Sequence, residues 1–323
     1  MSHAIRIHEF GGPDVLRWET ADLPPPGAGE VRLRHTAIGL NFIDTYHRDG
    51  LYPVPLPTVL GREAAGVVES LGDGVDTVAV GDRVVYTGGA LGSYSEARNL
   101  DASLLVPIPG FLDDDTAAAI FLKGLTAWYL LHFSYAIRPG DPVLLYAAAG
   151  GVGTLASQWA RRLGAIVIGV VSTAEKAELA KAAGCDHIVY ADAEDLVAEV
   201  RDLSGGGVAA VYDSVGRDTF MTSLDCLRPH GVMVTFGNAS GAVEPFAPAE
   251  LAKRGSLYVT RPILEHFIDT RARLLDAAAT LFDFVNSEQP TIRIGQRYPL
   301  ADAAQAHRDL QARRTTGSSL LVP

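Results

Sequence analysis

A strand, a glycine-rich turn and a helix are expected to follow one another without interruption in residues 142–163. An apolar run at 143–146 precedes three glycines at positions 150, 151 and 153, and a helical pattern begins at Thr154. The spacing is that of G-x-G-x-x-G with Ala148 in the first glycine's place. Such a turn brings backbone N–H groups and a positive helix end to a pyrophosphate. The sequence therefore predicts a dinucleotide site that includes Ala148, Gly150, Gly151 and Val152.

A glycine-rich turn of this type can also be purely structural, so its surroundings decide between the two interpretations. After about residue 112, uninterrupted apolar runs alternate with amphipathic segments, which is typical of a parallel sheet covered on both faces. The predicted strands are 143–146, 166–171, 187–190, 208–212 and 231–236. The predicted helices are 154–163, 174–183, 194–204 and 218–227, with a later one at 273–286. This context favours dinucleotide binding.

The first 110 residues have a different pattern, with short β-rich runs separated by glycine and proline turns. Helical periodicity is scarce there, which indicates an antiparallel or barrel-like unit. The mixed tail is expected to return to this unit. We predict an α/β protein with domains at 1–122 plus 264–323 and at 123–263.

The end of the second strand distinguishes between dinucleotides, because NAD sites place an acid there to bind the ribose 2′-hydroxyl. Here Ser172 and Thr173 follow the strand, and no acid occurs before Glu175. Lys176 can offer its charge to a 2′-phosphate. The pattern favours NADPH, although Ser172 and Thr173 could equally serve only to cap the next helix.

The composition narrows the function classes further. There are 27 basic and 38 acidic residues, a net charge of −11, which makes duplex nucleic acid an unfavourable partner. The two cysteines, Cys185 and Cys226, are too few for a disulfide framework and are expected to be buried thiols. The uncharged stretch 142–160 contains the glycine turn and is not expected to span a membrane. With charge within six residues of the N-terminus and no signal peptide, a cytoplasmic location is expected.

Several motifs occur in an order that resembles the zinc-free NADPH quinone oxidoreductases, relatives of zeta-crystallin in the medium-chain dehydrogenase/reductase superfamily. The resemblance covers the whole chain and implies a GroES-like β-rich catalytic domain joined to a Rossmann domain with a doubly wound parallel sheet. The matching segments are 41–46, 50–53, 57–66, 81–85, 121–126, 147–153, 212–217, 255–262 and 317–321.

The zinc ligands of that superfamily's alcohol dehydrogenases are replaced in this chain. A cysteine would stand at Asn41, a histidine at Arg62 and, by a less certain alignment, the third ligand at Lys123. The four-cysteine lobe of the structural zinc is also missing. Without thiolate or imidazole ligands, a stable zinc site is chemically implausible, so no metal is expected.

The resemblance also implies the site residues. Asn41, Tyr46 and Tyr52, with Lys123 and Tyr129, would line the nicotinamide and substrate cleft, where amide or tyrosine donors can hold a carboxamide or a quinone oxygen. The cofactor would contact Asn41, Ser172, Lys176, Tyr190, Ser214, Phe236, Asn238, Arg261 and Arg313. A family tyrosine of the adenine-phosphate pocket aligns with Ala191, whereas this chain has Tyr190. If the register is kept, Tyr190 points away and NADPH affinity falls; a local shift would restore it.

The leading hypothesis is therefore NADPH-dependent reduction of a soluble quinone, with the route of electron delivery left open. Reduction of activated enones or alkenals is the alternative enzyme activity, and NADPH-regulated RNA binding is an alternative from another class. A homodimer is expected, because residues 257–260 are typical of an exposed edge strand that a second copy can pair.

Overall fold

The computed structural model describes residues 2–323, which form two compact units. The first unit contains the residues up to Leu122, together with Ile268–Ser287 and Ile292–Pro323. The second contains Lys123–Phe267 and Glu288–Thr291. The chain thus leaves the first unit, builds the second and returns.

The strands and helices up to residue 134, the last of which cross into the second unit, alternate with many turns. The strands are β1 (Ser2–Ile7), β2 (Arg17–Ala21), β3 (Glu30–Leu40), β4 (Thr58–Val59), β5 (Glu63–Leu71), β6 (Arg83–Thr87), β7 (Ala97–Asp101) and β8 (Val106–Pro107). The helices are α1 (Phe42–Asp49) and α2 (Asp114–Tyr129), and α2 is followed by a π-helical turn at Leu130–Ser134.

The second unit and the returning segment contain the remaining elements. The strands are β9 (Pro142–Leu145), β10 (Ile166–Val171), β11 (His187–Tyr190), β12 (Val208–Asp213), β13 (Leu227–Thr235), β14 (Tyr258–Thr260), β15 (Ile294–Pro299) and β16 (Ser318–Val322). The helices are α3 (Gly151–Arg162), α4 (Ala174–Ala182), α5 (Leu196–Leu203), α6 (Phe220–Asp225), α7 (Ala249–Lys253), α8 (Arg271–Glu288) and α9 (Ala303–Gln311).

The first unit is built on antiparallel β-structure, as the turn-rich sequence predicted. β3 is its central strand and pairs with β5, β7 and β16. The seven-stranded sheet runs β15-β16-β3-β5-β6-β8, with β7 attached to β3. A small β2-β1-β4 sheet packs beside it, and Ile5, Leu33, Tyr86 and Leu321 belong to one shared apolar core.

The second unit is a six-stranded parallel sheet in the order β11-β10-β9-β12-β13-β14. Its chain begins in the middle, winds outward through β10 and β11, then returns to the other side. This is the Rossmann order, with a switch point at the carboxyl ends of the central strands. The predicted α/β fold class, with a parallel sheet in the middle of the chain, is confirmed.

Three local predictions differ from the structure. β13 begins at Leu227 and not at 231. The prediction missed its first residues because Pro229 and Gly231 have the composition of a turn. Helix α6 is shorter than predicted at both ends. Helix α1 was not predicted, since charged residues interrupt its apolar pattern; Asp44, Arg48 and others are nevertheless buried.

Both cysteines are free and buried, as predicted. Burial raises the pKa of the Cys185 thiol to about 11 and that of Cys226 to about 12. In residues 2–323, no helix has both the length and the apolar character needed to cross a bilayer.

Candidate functional site: a glycine turn and the start of helix α1

The glycine turn joins β9 to α3. Ala147 adopts a left-handed conformation, with φ of 53°, and reverses the chain directly after the strand. The Gly150 N–H donates to the Ala147 carbonyl at 2.8 Å, and Gly150 is the N-cap of α3. The first N–H groups of a helix have no partner within the helix, so those that follow Gly150 are available to an anion.

The glycines at 150 and 153 do different things in this turn. A Cβ on Gly153 would lie 2.3 Å from the Ala147 carbonyl oxygen, so α3 packs directly against the turn. A Cβ on Gly150 would have only that oxygen within 4 Å, at 3.1 Å, and would otherwise point into open space. The turn therefore leaves room for a pyrophosphate beside Gly150. Ala148 is fully buried and shapes the turn from inside.

A cationic corner lies at the end of the neighbouring strand β10. Thr173 is the N-cap of α4, where its hydroxyl oxygen accepts from the Lys176 N–H at 3.3 Å. The Lys176 ammonium lies 3.5 Å from the Ser172 hydroxyl. Thr173 thus caps the helix, while Ser172 and Lys176 together offer a hydroxyl and a positive charge to a phosphate group.

Tyr190 ends β11 and pairs with Val171 of β10. Its side chain is 39% exposed, and it interacts electrostatically with Lys181, which is one turn further along α4 than Lys176. The role predicted for Tyr190 in the phosphate pocket remains a prediction.

Asp213 organises the loops that carry Ser214, Phe236 and Asn238, and sequence reasoning missed it. Its buried carboxylate accepts hydrogen bonds from four groups of the following loop and helix: Val215 N, Gly216 N, Thr219 Oγ1 and Ser223 Oγ. The Asp213 carbonyl accepts from Phe236 N at 2.8 Å, and the Ser214 carbonyl accepts from Ala239 N at 3.2 Å. The ends of β12 and β13 are therefore held together. A buried acid at a strand end was the only signal in the sequence.

Arg261 and Tyr129 are two further predicted site residues in the second unit. The Arg261 guanidinium donates to the Thr235 carbonyl at 3.1 Å, which places it beside the end of β13. Tyr129 stacks on Phe267 with ring centroids 4.8 Å apart. Burial raises the pKa of Tyr129, and nearby Arg261 opposes this rise. Tyr129 is thus a neutral phenol close to a cation.

The first unit carries three of the predicted site residues on and beside α1. Asn41 follows β3 and is the N-cap of α1. Tyr46 of α1 packs edge to face on Tyr52, with ring centroids 5.3 Å apart, and the Tyr46 carbonyl accepts from Tyr52 N at 3.0 Å. The three predicted cleft residues of this unit are therefore carried by one short helix and the turn after it.

A buried chain of hydrogen bonds runs behind this helix. Arg48 Nη1 donates to His307 Nδ1 at 3.0 Å, so His307 carries its proton on Nε2, which lies 3.0 Å from the Tyr94 hydroxyl. Tyr94 in turn donates to Asp44 at 2.9 Å, and the same Asp44 oxygen accepts from Asn41 N at 2.9 Å. Each donor has its acceptor, so the chain fixes the start of α1.

The remaining predicted residues divide between the units. Lys123 is buried at the start of the second unit, and Arg313 follows α9 in the first with a φ of 58°. Within residues 2–323, no group of three or more His, Cys, Asp or Glu side chains is arranged to hold a metal ion.

Comparisons with known proteins cover both units. The model for the alcohol dehydrogenase GroES-like domain matches residues 27–110, and that for zinc-binding dehydrogenase matches 151–279. The chain is 48% identical to quinone oxidoreductase 1 of Escherichia coli (strain K12), over 100% of both chains. It is 47% identical to a 2-haloacrylate reductase of Burkholderia sp., over 100% of this chain and 99% of the other. The structure of E. coli quinone oxidoreductase complexed with NADPH matches at a TM-score of 0.97 with 48% identity, covering 99% of this chain and 100% of that one.

Proposed function

The chain belongs to the quinone oxidoreductases of the medium-chain dehydrogenase/reductase superfamily, and we propose that it reduces a soluble quinone with NADPH. The observation that carries this proposal is the glycine turn at Gly150 together with the Lys176–Ser172 pair at the end of β10, where no acid occurs before Glu175, in a chain similar over its full length to such enzymes. Bound NADPH supplies the reducing equivalents. The glycine turn binds its pyrophosphate, Ser172 and Lys176 bind its 2′-phosphate, and the Tyr46 and Tyr52 hydroxyls hold the quinone oxygens.

Steady-state oxidation of NADPH by 1,4-benzoquinone tests this function directly. We expect turnover that a chelator leaves unchanged, because Asn41, Arg62 and Lys123 stand at the zinc-ligand positions and none of them is a zinc ligand. Absence of turnover, or activity lost with a chelator and restored by Zn²⁺, would contradict the proposal.

A second substrate class has independent support from the likeness to a 2-haloacrylate reductase. Activated alkenes are electrophiles similar to quinones, so bound NADPH can supply the reducing equivalents for both classes. Comparing kcat/KM for 1,4-benzoquinone with that for 2-chloroacrylate and a 2-alkenal assigns the preferred class. A higher value for either alkene would move the function to alkene reduction.

Replacing Lys176 by alanine should weaken the preference for NADPH over NADH. Hydrogen bonds to charged groups contribute roughly 1.5–3 kcal/mol, so the kcat/KM ratio should fall by about tenfold or more. The control is Lys181→Ala on the same helix, where Lys181 pairs with Glu178. An unchanged ratio in Lys176→Ala would place the 2′-phosphate elsewhere.

We further propose a homodimer formed through β14, the last strand of the second unit's sheet. Tyr258 on this strand is 60% exposed, and an exposed sheet edge is usually paired or covered. Pairing two copies about a twofold axis would continue the sheet. Tyr258→Asp, which adds a charge to both copies, should shift the molecular mass measured by light scattering toward the monomer. His187→Asp on the opposite edge strand β11 should leave the mass unchanged, and a monomeric wild type would contradict the dimer.

We propose no role in nucleic acid binding, since the net charge of −11 repels phosphate backbones. A gel-shift with single-stranded AU-rich RNA, with and without NADPH, tests this. We propose a cytoplasmic location, which the two free thiols support, since disulfides are rare in that reducing compartment.

A further inference from the structure

Glu63 is a buried acid at the start of β5, an inner strand of the first unit's sheet. It pairs in register with Gly39 of β3, and its side chain lies across that glycine. A Cβ on Gly39 would lie 2.1 Å from Glu63 Oε1, so only glycine leaves the carboxyl group room there. From this position Glu63 Oε2 accepts from Leu122 N at 2.7 Å, and Oε1 accepts from Asn41 Nδ2 at 2.8 Å.

Both N–H groups of the Asn41 side chain are therefore used within the protein. Besides Glu63, Nδ2 donates to the Gly39 carbonyl at 3.3 Å. The orientation of this amide follows from its partners, since the two nearest groups are both acceptors. The Asn41 side-chain oxygen accepts from the Asp44 backbone N–H in the capping box of α1, and its second lone pair is what the amide can offer to a ligand.

We propose that Glu63 is a positioning residue that fixes the polarity of the Asn41 amide, so that Asn41 accepts a hydrogen bond from bound cofactor and donates none to substrate. This inference rests on the proposed function. A quinone has only acceptor oxygens, whereas a carboxamide has N–H donors. Asn41 thus serves the nicotinamide carboxamide, and the donor to the quinone oxygen is a tyrosine hydroxyl.

The substitution Glu63→Gln tests the polarity because its outcome is dictated by Leu122. The Leu122 N–H is a fixed donor, so the glutamine oxygen must face it and the glutamine NH₂ must face Asn41. Asn41 then loses its bond to residue 63 unless it turns its oxygen inward, which would set that oxygen against the Gly39 carbonyl. In both cases one substitution removes the contact that holds the Asn41 oxygen toward the ligand, without changing side-chain volume.

Binding titrations measure the effect on ligand affinity and require no turnover. The probes are NADP⁺ and its 3-acetylpyridine analogue, in which a methyl ketone replaces the carboxamide and no N–H donor remains. One hydrogen bond corresponds to roughly two- to tenfold in affinity. Wild type should bind NADP⁺ more tightly by this factor, and Glu63→Gln should reduce the ratio to about one or invert it. Glu69→Gln, an exposed acid on the same strand, is the matched control.

Exchanging the acid and the amide between positions 41 and 63 conserves the charge and should restore NADP⁺ affinity. Asn41→Asp alone places two carboxylates in contact, so one of them must take up a proton, and NADP⁺ affinity should recover as pH falls. In the double variant Asn41→Asp with Glu63→Gln, the glutamine NH₂ donates to Asp, whose other oxygen again accepts from the ligand. The double variant should recover much of the affinity that either single variant loses at pH 8.

Two results would overturn the proposal: an unchanged NADP⁺-to-analogue ratio in Glu63→Gln, or a folded double variant that binds no better than the single ones. Thermal unfolding of each variant identifies a loss of folding, and the pH dependence of Asn41→Asp remains a test if Glu63→Gln does not fold. Failure of the proposed function would instead appear as wild-type protein that binds NADP⁺ but does not oxidise NADPH with a quinone.

Discussion

Lowering the pH from 7 to 5 should destabilise the protein by about 4 kcal/mol through two buried histidines. Burial lowers the pKa of His307 to about 3, with Arg48 adding to the effect, and lowers that of His35 to about 4. Both values lie below the ordinary 6.5, so the unfolded chain binds two protons in this range that the folded chain does not. The contribution is fully present above about pH 6.5 and is lost as pH falls toward the folded values.

The structure explains why neither histidine accepts a proton. His307 Nδ1 already accepts from Arg48, so a proton there would place two donors against each other. His35 is almost fully buried, so little solvent is available to stabilise a charge, and the nearby Arg98 also disfavours one. The hydrogen bond between His35 Nδ1 and the Ser95 carbonyl, at 2.6 Å, favours the charged form but is outweighed by burial.

Urea unfolding at several pH values measures this dependence. Each histidine contributes roughly 1.4 kcal/mol per pH unit between its folded and unfolded pKa values. His307→Gln should lose about half of the slope, whereas His8→Gln, at an exposed position, should retain it. Equal slopes in wild type and His307→Gln would show that His307 does not titrate as described.

Alanine substitutions at the two glycines of the turn, Gly150 and Gly153, should affect stability and cofactor affinity to different extents. Gly153→Ala forces a methyl group to 2.3 Å from the Ala147 oxygen and 2.8 Å from backbone atoms of Ala148, so the helix or the turn must shift. Overpacking of this kind costs roughly 1–3 kcal/mol. Gly150→Ala should cost less in stability but lower NADPH affinity strongly, because its methyl group occupies the space assigned to the pyrophosphate.

Urea unfolding and fluorescence titration with NADPH measure the two effects. Gly110→Ala is the control, since a Cβ there meets nothing within 4 Å. Full NADPH affinity in Gly150→Ala would move the pyrophosphate away from this turn.

The parallel sheet could be predicted because its strands are buried on both faces. Residues 143–146 and 166–171 are apolar without interruption, and no solvent-facing alternation obscures them. Prediction was weaker at the start of β13. Leu227 pairs with Val208 of β12, and the pairing then shifts register before it resumes at Val232, so Pro229 and His230 lie within the strand without the composition of one.

The candidate site was predictable only where it is local in sequence. The glycine turn and the Ser172–Lys176 corner each lie within a few residues, so their spacing is informative. The buried chain behind α1 is not local: Tyr94 is 50 residues from Asp44, and His307 is 259 residues from Arg48. A sequence shows these as scattered polar residues, and only folding reveals that they satisfy each other. The Glu63–Asn41 pair was missed for the same reason.

The burial of the Cys185 and Cys226 thiols matters for an enzyme that acts on electrophiles. Quinones and activated alkenes arylate or alkylate cysteine, and the attacking species is the thiolate. Cys185 and Cys226 are shielded, and with pKa values of about 11 and 12 they remain protonated at neutral pH. The chain has no other cysteine. The protein therefore presents no reactive thiol to a quinone at neutral pH.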